Sequence, residues 1–160
     1  MREQKVEDSI PREETVEKVV FDDLQMANAL FGAHSENLKR IARTLRVKIN
    51  AKGNALTIHG EDLDVELSVR VLNSLYALLK KGYPLYPTDI DYAIRMISDD
   101  RNVNLEDIFL DTVYISSRKR VITPKSLAQK HYIDAIRQHD LVIGIGPAGN
   151  GKTYLATAMD

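Results

Sequence analysis

The sequence predicts an α/β protein: a small α+β unit with the element order βααββα, followed by a strand, a glycine-rich loop and the start of a helix. Three observations support this prediction. Apolar residues between positions 19 and 82 change from the alternation typical of strands to the three- and four-residue spacing typical of helices. The apolar run at residues 141–145 resembles a buried parallel strand. The glycine-rich segment at residues 146–153 follows this run directly.

The first part of the βααββα unit has clear starts and stops. Residues 19–21 predict a short strand, and Asp22 or Asp23 is expected to cap a helix that Gly32 ends. Ser35 is the predicted N-cap of a second helix with apolar residues at helical spacing. A hairpin is predicted next, because two alternating runs flank the turn sequence Lys-Gly-Asn at residues 52–54.

The remaining elements follow the same logic. A long helix is predicted at residues 63–81, and Gly82 is expected to end it. Thr88 and Ser126 are the predicted caps of two later helices, which are expected to end near residues 97 and 139. Between them, residues 105–108 predict a short turn, and residues 109–123 predict short strands around a basic run.

These elements suggest four segments. Residues 1–18 are polar and expected to be flexible, and residues 19–82 form the βααββα domain. Residues 83–123 connect it to a second domain, of which residues 124–160 supply the first strand, the loop and the start of a helix. A parallel strand needs neighbouring strands that are reached by crossovers of a dozen or more residues. We therefore expect this second domain to be incomplete in the chain.

The glycine-rich loop has the spacing of a P-loop, Gly-x4-Gly-Lys-Thr. Its glycines allow the backbone to curl so that successive amides point at one anion. Lys152 can reach the β- and γ-phosphates, and the hydroxyl of Thr153 can ligate Mg²⁺. An ordinary glycine-rich turn is the disfavoured alternative. The predicted nucleotide-binding residues are Gly146, Pro147, Ala148, Gly149, Asn150, Gly151, Lys152 and Thr153.

The loop alone does not hydrolyse a nucleotide. Hydrolysis also needs an acidic residue at the end of a later strand, which holds the metal and orients water. Asp160 cannot fill this role, because it belongs to the same short helix as the loop. The sequence therefore predicts no complete catalytic site, and the chain by itself is expected to be inactive as an ATPase.

Composition excludes several classes of protein. The chain of 160 residues has a formal charge of −1, so no global basic field indicates nucleic acid. It contains no cysteine, which excludes disulfides and thiolate metal sites. The charged N-terminus does not resemble a signal peptide, and no apolar run has the length of a membrane helix. We expect a cytoplasmic protein.

Residues 122–129, Ile-Thr-Pro-Lys-Ser-Leu-Ala-Gln, together with residues 132–136 and the loop, resemble the PhoH-like family of P-loop ATPases. Residues 29–39, Ala-Leu-Phe-Gly-Ala-His-Ser-Glu-Asn-Leu-Lys, resemble part of that family's KH-like N-terminal domain. The resemblance covers residues 19–160 and only the front half of a typical member. It implies a small KH-like α+β domain followed by the beginning of a truncated P-loop NTPase domain.

The resemblance also implies partners and roles. ATP and Mg²⁺ are the expected ligands, and RNA is the expected macromolecular partner. Some family members are linked to ribosomal RNA maturation beside an endoribonuclease, and homo-oligomeric rings are expected of full-length forms. By similarity to related helicases, Gln129 matches a glutamine that reads adenine, because its amide offers one donor and one acceptor. An exposed helix glutamine is the alternative. Asn150 stands where family members more often have threonine.

Two groups of basic residues are candidates for RNA binding. A KH domain clamps RNA phosphates with a Gly-x-x-Gly loop, but here Gly32 is followed by Ala-His-Ser without a second glycine. The alternative to RNA binding is a solvated helix face for the first group and a basic linker between two domains for the second. The candidates are Lys39, Arg40 and Arg43 on the second helix, and Arg118, Lys119 and Arg120 in the connecting segment.

Two functions from different classes remain open. The chain is either part of an RNA-associated ATPase, or a non-catalytic KH-like module that binds RNA or protein and carries a vestigial P-loop. An unrelated P-loop kinase is disfavoured, because it would leave Gln129 and the upstream domain without a role.

Overall fold

The computed structural model describes residues 14–112, 114–115 and 121–159. Within these residues the fold is α+β, with seven α-helices, one three-stranded antiparallel sheet and one two-stranded pair. The strands are β1 (Glu14–Val20), β2 (Lys48–Lys52), β3 (Ala55–Glu61), β4 (Tyr114–Ile115) and β5 (Val121–Ile122). The helices are α1 (Leu24–Phe31), α2 (Glu36–Leu45), α3 (Asp62–Lys80), α4 (Pro87–Asp99), α5 (Leu105–Phe109), α6 (Leu127–Gln138) and α7 (Lys152–Ala158).

The first six strands and α-helices have the predicted order βααββα, with a short 3₁₀ helix (Ala33–Ser35) between α1 and α2. The larger sheet has the strand order β1-β3-β2, and both outer strands run antiparallel to β3. One prediction about its boundary is wrong, because β1 begins at Glu14 and not at Val19. The reason is pairing along the full length of β3, from Glu14 opposite Glu61 to Val20 opposite Ala55.

The core lies between this sheet and helices α1 to α5. Leu56 and Ile58 of β3 are fully buried, because alternate residues of a strand point to the same face and α3 covers that face. Helix α3 contacts the sheet and four other helices and is therefore the centre of the fold. Its predicted end at Gly82 is confirmed, with a φ of 80° after the C-cap Lys81.

The caps of four helices differ in how well they were predicted. Asp23 accepts a hydrogen bond from the N–H of Met26, and Ser126 accepts one from Gln129, as expected. Ser35 occupies the N-cap position of α2 but has a φ of 58° and forms no side-chain cap bond. Helix α4 starts at Pro87, one residue before the predicted cap Thr88, and Asp89 accepts from the N–H of Tyr86 at 3.0 Å.

The predicted buried strand at residues 141–145 is wrong for the part of the chain that the structure describes. These residues are irregular, and the side chains of Leu141, Ile143 and Ile145 are 80%, 78% and 93% exposed. A strand forms through hydrogen bonds to a neighbour, and none of the described residues pairs with this run. Its apolar composition predicts a burial that nothing in the described structure provides.

Candidate nucleotide-binding site

The predicted P-loop forms a tight turn between residue 146 and α7. Gly149 and Gly151 have φ values of 79° and 84°, a left-handed conformation that favours glycine over other residues. Helix α7 then starts at Lys152, with Gly151 at its N-cap position. The glycines at these positions thus form a sharp turn directly before the start of α7.

Lys152 lies folded over this turn. Its Nζ donates hydrogen bonds to the carbonyl oxygens of Gly146 at 2.9 Å and Pro147 at 2.7 Å, and to Oδ1 of Asn150 at 2.8 Å. The ammonium group therefore lies inside the curve of the loop, bound to neutral oxygens. A phosphate oxygen is a stronger acceptor for an ammonium group than a carbonyl oxygen, because the phosphate is charged.

Thr153, the predicted magnesium ligand, has an exposed side chain at the start of α7. Its hydroxyl forms no hydrogen bond with any described residue, although its carbonyl oxygen accepts one from Thr157 at 2.9 Å. A free hydroxyl oxygen beside the loop fits Mg²⁺, which takes oxygen ligands and keeps several waters. No group of three or more His, Asp or Glu residues within the described segments could hold a metal ion by itself.

The structure places Gln129 against the glycine-rich loop. Its Nε2 donates to the carbonyl oxygen of Asn150 at 3.1 Å, and its Oε1 accepts from the N–H of Lys125 at 2.7 Å. A Cβ atom at Gly151 would lie only 3.3 Å from Nε2 of Gln129. Helix α6 thus holds the glutamine in direct contact with the loop, 21 residues further along the chain.

A cavity of about 800 Å³ opens beside this contact. Its lining includes Gln129, Tyr132 and Lys152 from α6 and the loop. Helix α4 lines the same cavity, with Tyr92 and Arg95. That α4 lines this cavity could not be predicted from the sequence, because the spacing of its apolar residues indicates only which face enters the core.

A buried polar cluster, also absent from the sequence-based prediction, connects α4 to α6. Lys125 Nζ lies 2.9 Å from Asp89 Oδ1 and 3.0 Å from the hydroxyl oxygen of Tyr83. The same ammonium lies 5.0 Å from the centre of the Phe109 ring. Burial raises the pKa of Tyr83, and the neighbouring negative charge of Asp89 raises it further. The cluster fixes Lys125, whose backbone holds Gln129.

A second ionic contact fixes the other end of α6. Arg137 forms two hydrogen bonds with the carboxylate of Asp111, at 2.7 and 2.8 Å, and Lys130 lies 3.0 Å from it. The Arg137 guanidinium, followed by Lys130, lowers the pKa of Asp111 below its ordinary value. Asp111 follows α5, so this contact joins α6 to the connecting segment.

The candidate RNA-binding residues differ in their exposure and contacts. Lys39 and Arg43 are exposed on α2, whereas Arg40 donates to Asp91 of α4 at 2.7 Å. None of the three lines the cavity beside the loop. Arg118, Lys119 and Arg120 lie outside the described residues. No helix in the described segments is long and apolar enough to cross a membrane.

Comparison with known proteins identifies relatives along most of the chain. The family model for PhoH-like proteins matches residues 121–160, which include Gln129 and the loop. A PhoH-like protein of Mycobacterium bovis is 41% identical over 129 residues, which are 81% of this chain and 36% of the relative. The chain belongs to the PhoH-like family.

Other PhoH-like proteins match over similar lengths. The protein of Bacillus subtilis is 35% identical over 130 residues, or 81% of this chain and 41% of the relative. That of Synechocystis is 27% identical over 135 residues, or 84% and 41%. The chain thus spans between about a third and two fifths of the length of these PhoH-like relatives. No solved structure matches it significantly.

Proposed function

We propose that this PhoH-like chain binds ATP, with residues 146–153 around the triphosphate and Gln129 facing the adenine. The observation that carries the proposal is the 3.1 Å hydrogen bond from Gln129 Nε2 to the carbonyl oxygen of Asn150. A side chain suited to adenine and a loop suited to phosphates are thereby in contact. The adjoining cavity of about 800 Å³ lies in the size range of small-molecule sites.

Binding exchanges hydrogen bonds at two places. The triphosphate replaces the neutral oxygens around Lys152 with charged ones, which strengthens the bonds of the ammonium group. The adenine competes for the amide of Gln129, whose donor and acceptor now contact Asn150 and Lys125. Thr153 supplies a hydroxyl ligand to Mg²⁺ beside the phosphates. The proposal assigns no hydrolytic step to these residues, because turnover needs a separate acidic residue that orients water.

We further propose that residues 14–82 form a KH-like unit that contacts single-stranded RNA. The βααββα order and the sheet order β1-β3-β2 support this assignment. In the turn between α1 and α2, Gly32 has a φ of 77° and Ser35 a φ of 58°. Ser35 thus adopts, at the place of the second glycine of a Gly-x-x-Gly loop, a conformation that glycine favours. The exposed Lys39 and Arg43 lie on the helix that follows.

A non-catalytic KH-like module with a vestigial P-loop is the second candidate. The side chains of Lys39 and Arg43, which have no partner among the described residues, favour it equally. The two candidates differ in their dependence on nucleotide. A ribosomal RNA maturation endoribonuclease as partner, a ring-shaped homo-oligomer and a cytoplasmic location stay predictions.

Equilibrium dialysis with labelled ATP and GTP, each with Mg²⁺, tests the proposed function. We expect wild type to retain ATP in preference to GTP, and Lys152→Ala to retain neither. Gln129→Ala should lose about tenfold in ATP affinity, while its GTP affinity changes little, because a removed hydrogen-bond pair costs about 1 to 2 kcal/mol. Lys81→Ala is the matched control, since Lys81 pairs with Glu106 at 2.5 Å and does not line the cavity. Equal ATP retention by wild type and Lys152→Ala would contradict the proposal.

A further inference from the structure

The cavity beside the glycine-rich loop is lined by groups of different chemistry. Gln129, Tyr132 and the loop residue Lys152 line it together with helix α4. Helix α4 contributes Tyr92, Arg95, Met96 and Asp99, and thus an aromatic ring and a guanidinium group. Planar groups of this kind recognise nucleobases by stacking, and they contribute to base binding in many nucleic-acid sites.

Helix α4 is rigidly placed. Ile90, Ala93, Ile94 and Ile97 are buried in the core, and Tyr92 is half-buried against it. The start of the helix is fixed by the buried Asp89, and its outer side by the ion pair of Asp91 with Arg40. The face that borders the cavity therefore does not need to be ordered when a ligand binds, which lowers the entropic cost of binding.

Arg95 is not held by a carboxylate, in contrast to three other arginines of the described residues. Arg40, Arg101 and Arg137 are each paired with a carboxylate, at 2.7, 3.4 and 2.7 Å. Arg95 is exposed and has no ion-pair or hydrogen-bond partner within the segments that the structure describes. Its guanidinium is thus available to a ligand in the cavity, as five donors in one plane and as a stacking surface.

We propose that α4 forms the nucleoside-binding wall of this site, with Tyr92 and Arg95 contacting the base of a purine nucleotide opposite Gln129. The inference rests on the proposed ATP binding and extends it to a helix outside the P-loop segment. The loop then recognises the triphosphate, and α4 recognises the nucleoside. A ligand that consists of the triphosphate alone therefore binds independently of α4.

Calorimetric titration of the 160-residue chain with Mg-ATP and with magnesium tripolyphosphate tests this division. Tyr92→Ala and Arg95→Ala are each expected to weaken ATP binding at least about fivefold, the lower range for one lost stacking contact. Neither substitution should change the affinity for tripolyphosphate. Tyr92→Phe keeps the ring and should bind ATP as wild type does. Tyr86→Ala and Arg70→Ala are matched controls, because both side chains lie outside the cavity.

The outcomes separate this inference from the proposed function. Unchanged ATP affinity in Arg95→Ala and Tyr92→Ala overturns the inference, provided that wild type binds ATP. An equal loss of ATP and tripolyphosphate also overturns it, since these residues would then contact phosphate. Failure of wild type to bind either ligand, or equal binding by Lys152→Ala, overturns the proposed function itself. If Tyr92→Ala does not fold, the affinities of Arg95→Ala for ATP and tripolyphosphate test the inference, because Arg95 is exposed.

Discussion

Lys125 Nζ lies 2.9 Å from Oδ1 of Asp89, whose side chain is only 1% exposed. The other oxygen of Asp89 accepts from the N–H of Tyr86 at 3.0 Å and the hydroxyl of Tyr83 at 3.2 Å. The backbone N–H of Lys125 donates in turn to Gln129. One lysine thus joins the start of α4 to the glutamine beside the P-loop.

Removal of the cation from this pair is expected to destabilise the fold strongly. Lys125→Met should lower the free energy of unfolding by about 3 kcal/mol, because it leaves the buried Asp89 carboxylate without a compensating charge. Urea denaturation measures the change. Arg101→Met is the control: Arg101 pairs with Glu66 at 3.4 Å on the surface, and its loss should cost less than about 1 kcal/mol. A similar loss of unfolding free energy in the two variants would contradict this prediction, because the buried pair would then stabilise the fold no more than a surface pair does.

The Asp111 contact predicts a dependence of stability on pH. Because Arg137 lowers the pKa of Asp111 in the folded state, this carboxylate stabilises the fold above its ordinary pKa of 3.8. The contribution disappears as the pH falls through the lowered folded-state pKa. At pH 7, Asp111→Asn should cost about 2 kcal/mol, the range for hydrogen bonds to charged groups.

Urea denaturation of wild type and Asp111→Asn at decreasing pH checks the sign of this pH dependence. The difference between wild type and Asp111→Asn should persist down to about pH 5 and shrink below it, as the carboxylate becomes protonated. A difference that stays constant between pH 7 and pH 2 would mean that charge does not cause it.

Substitutions of two serines at N-cap positions are expected to change the stability of the protein in opposite directions. Ser35→Gly should stabilise the protein by up to about 1 kcal/mol, because glycine adopts the observed φ of 58° without strain. Ser126→Ala should destabilise it by about 1 kcal/mol, since it removes the hydrogen bond to the N–H of Gln129 at 3.1 Å. Thermal unfolding measures both. Destabilisation by Ser35→Gly would indicate that the serine hydroxyl caps α2 in solution.

The ion pair of Arg40 with Asp91 predicts how RNA binding can be raised. Asp91→Asn should strengthen retention of single-stranded RNA about two- to threefold at low salt, because it releases a guanidinium and removes a nearby negative charge. Asp107→Asn is the control of equal charge, as Asp107 is exposed on α5. Lys39→Ala should weaken binding and reduce the salt dependence by about one phosphate contact. Equal behaviour of Asp91→Asn and Asp107→Asn would place the RNA elsewhere.

The order of the first six elements could be predicted because each depends on local information. Gly32 and Gly82 end helices through their own backbone conformations, and alternate burial of Leu56 and Ile58 follows from the period of a strand. The turn of the glycine-rich loop is equally local, since its glycines lie within eight residues and two of them have a positive φ. The family resemblance further indicated Gln129, which the structure places against that loop.

The remaining features depend on contacts between distant residues. Lys125 meets Asp89 across 36 positions, and no pattern in either segment specifies the other. The prediction of a strand at residues 141–145 is wrong for the same reason, because apolar composition indicates burial but does not supply a pairing partner. The prediction of Thr88 as a cap rests on residue type alone. In the structure Pro87 begins α4, and the Asp89 side chain accepts a hydrogen bond from the N–H of Tyr86.

The central claim is that Lys152 and its loop bind the triphosphate of ATP. The most direct measurement is an isothermal titration of the chain with Mg-ATP, carried out in parallel on wild type and Lys152→Ala. We predict a saturable heat with one site per chain for wild type, and no measurable heat for Lys152→Ala at the same concentrations. Saturable binding with the same affinity in both proteins would contradict the account.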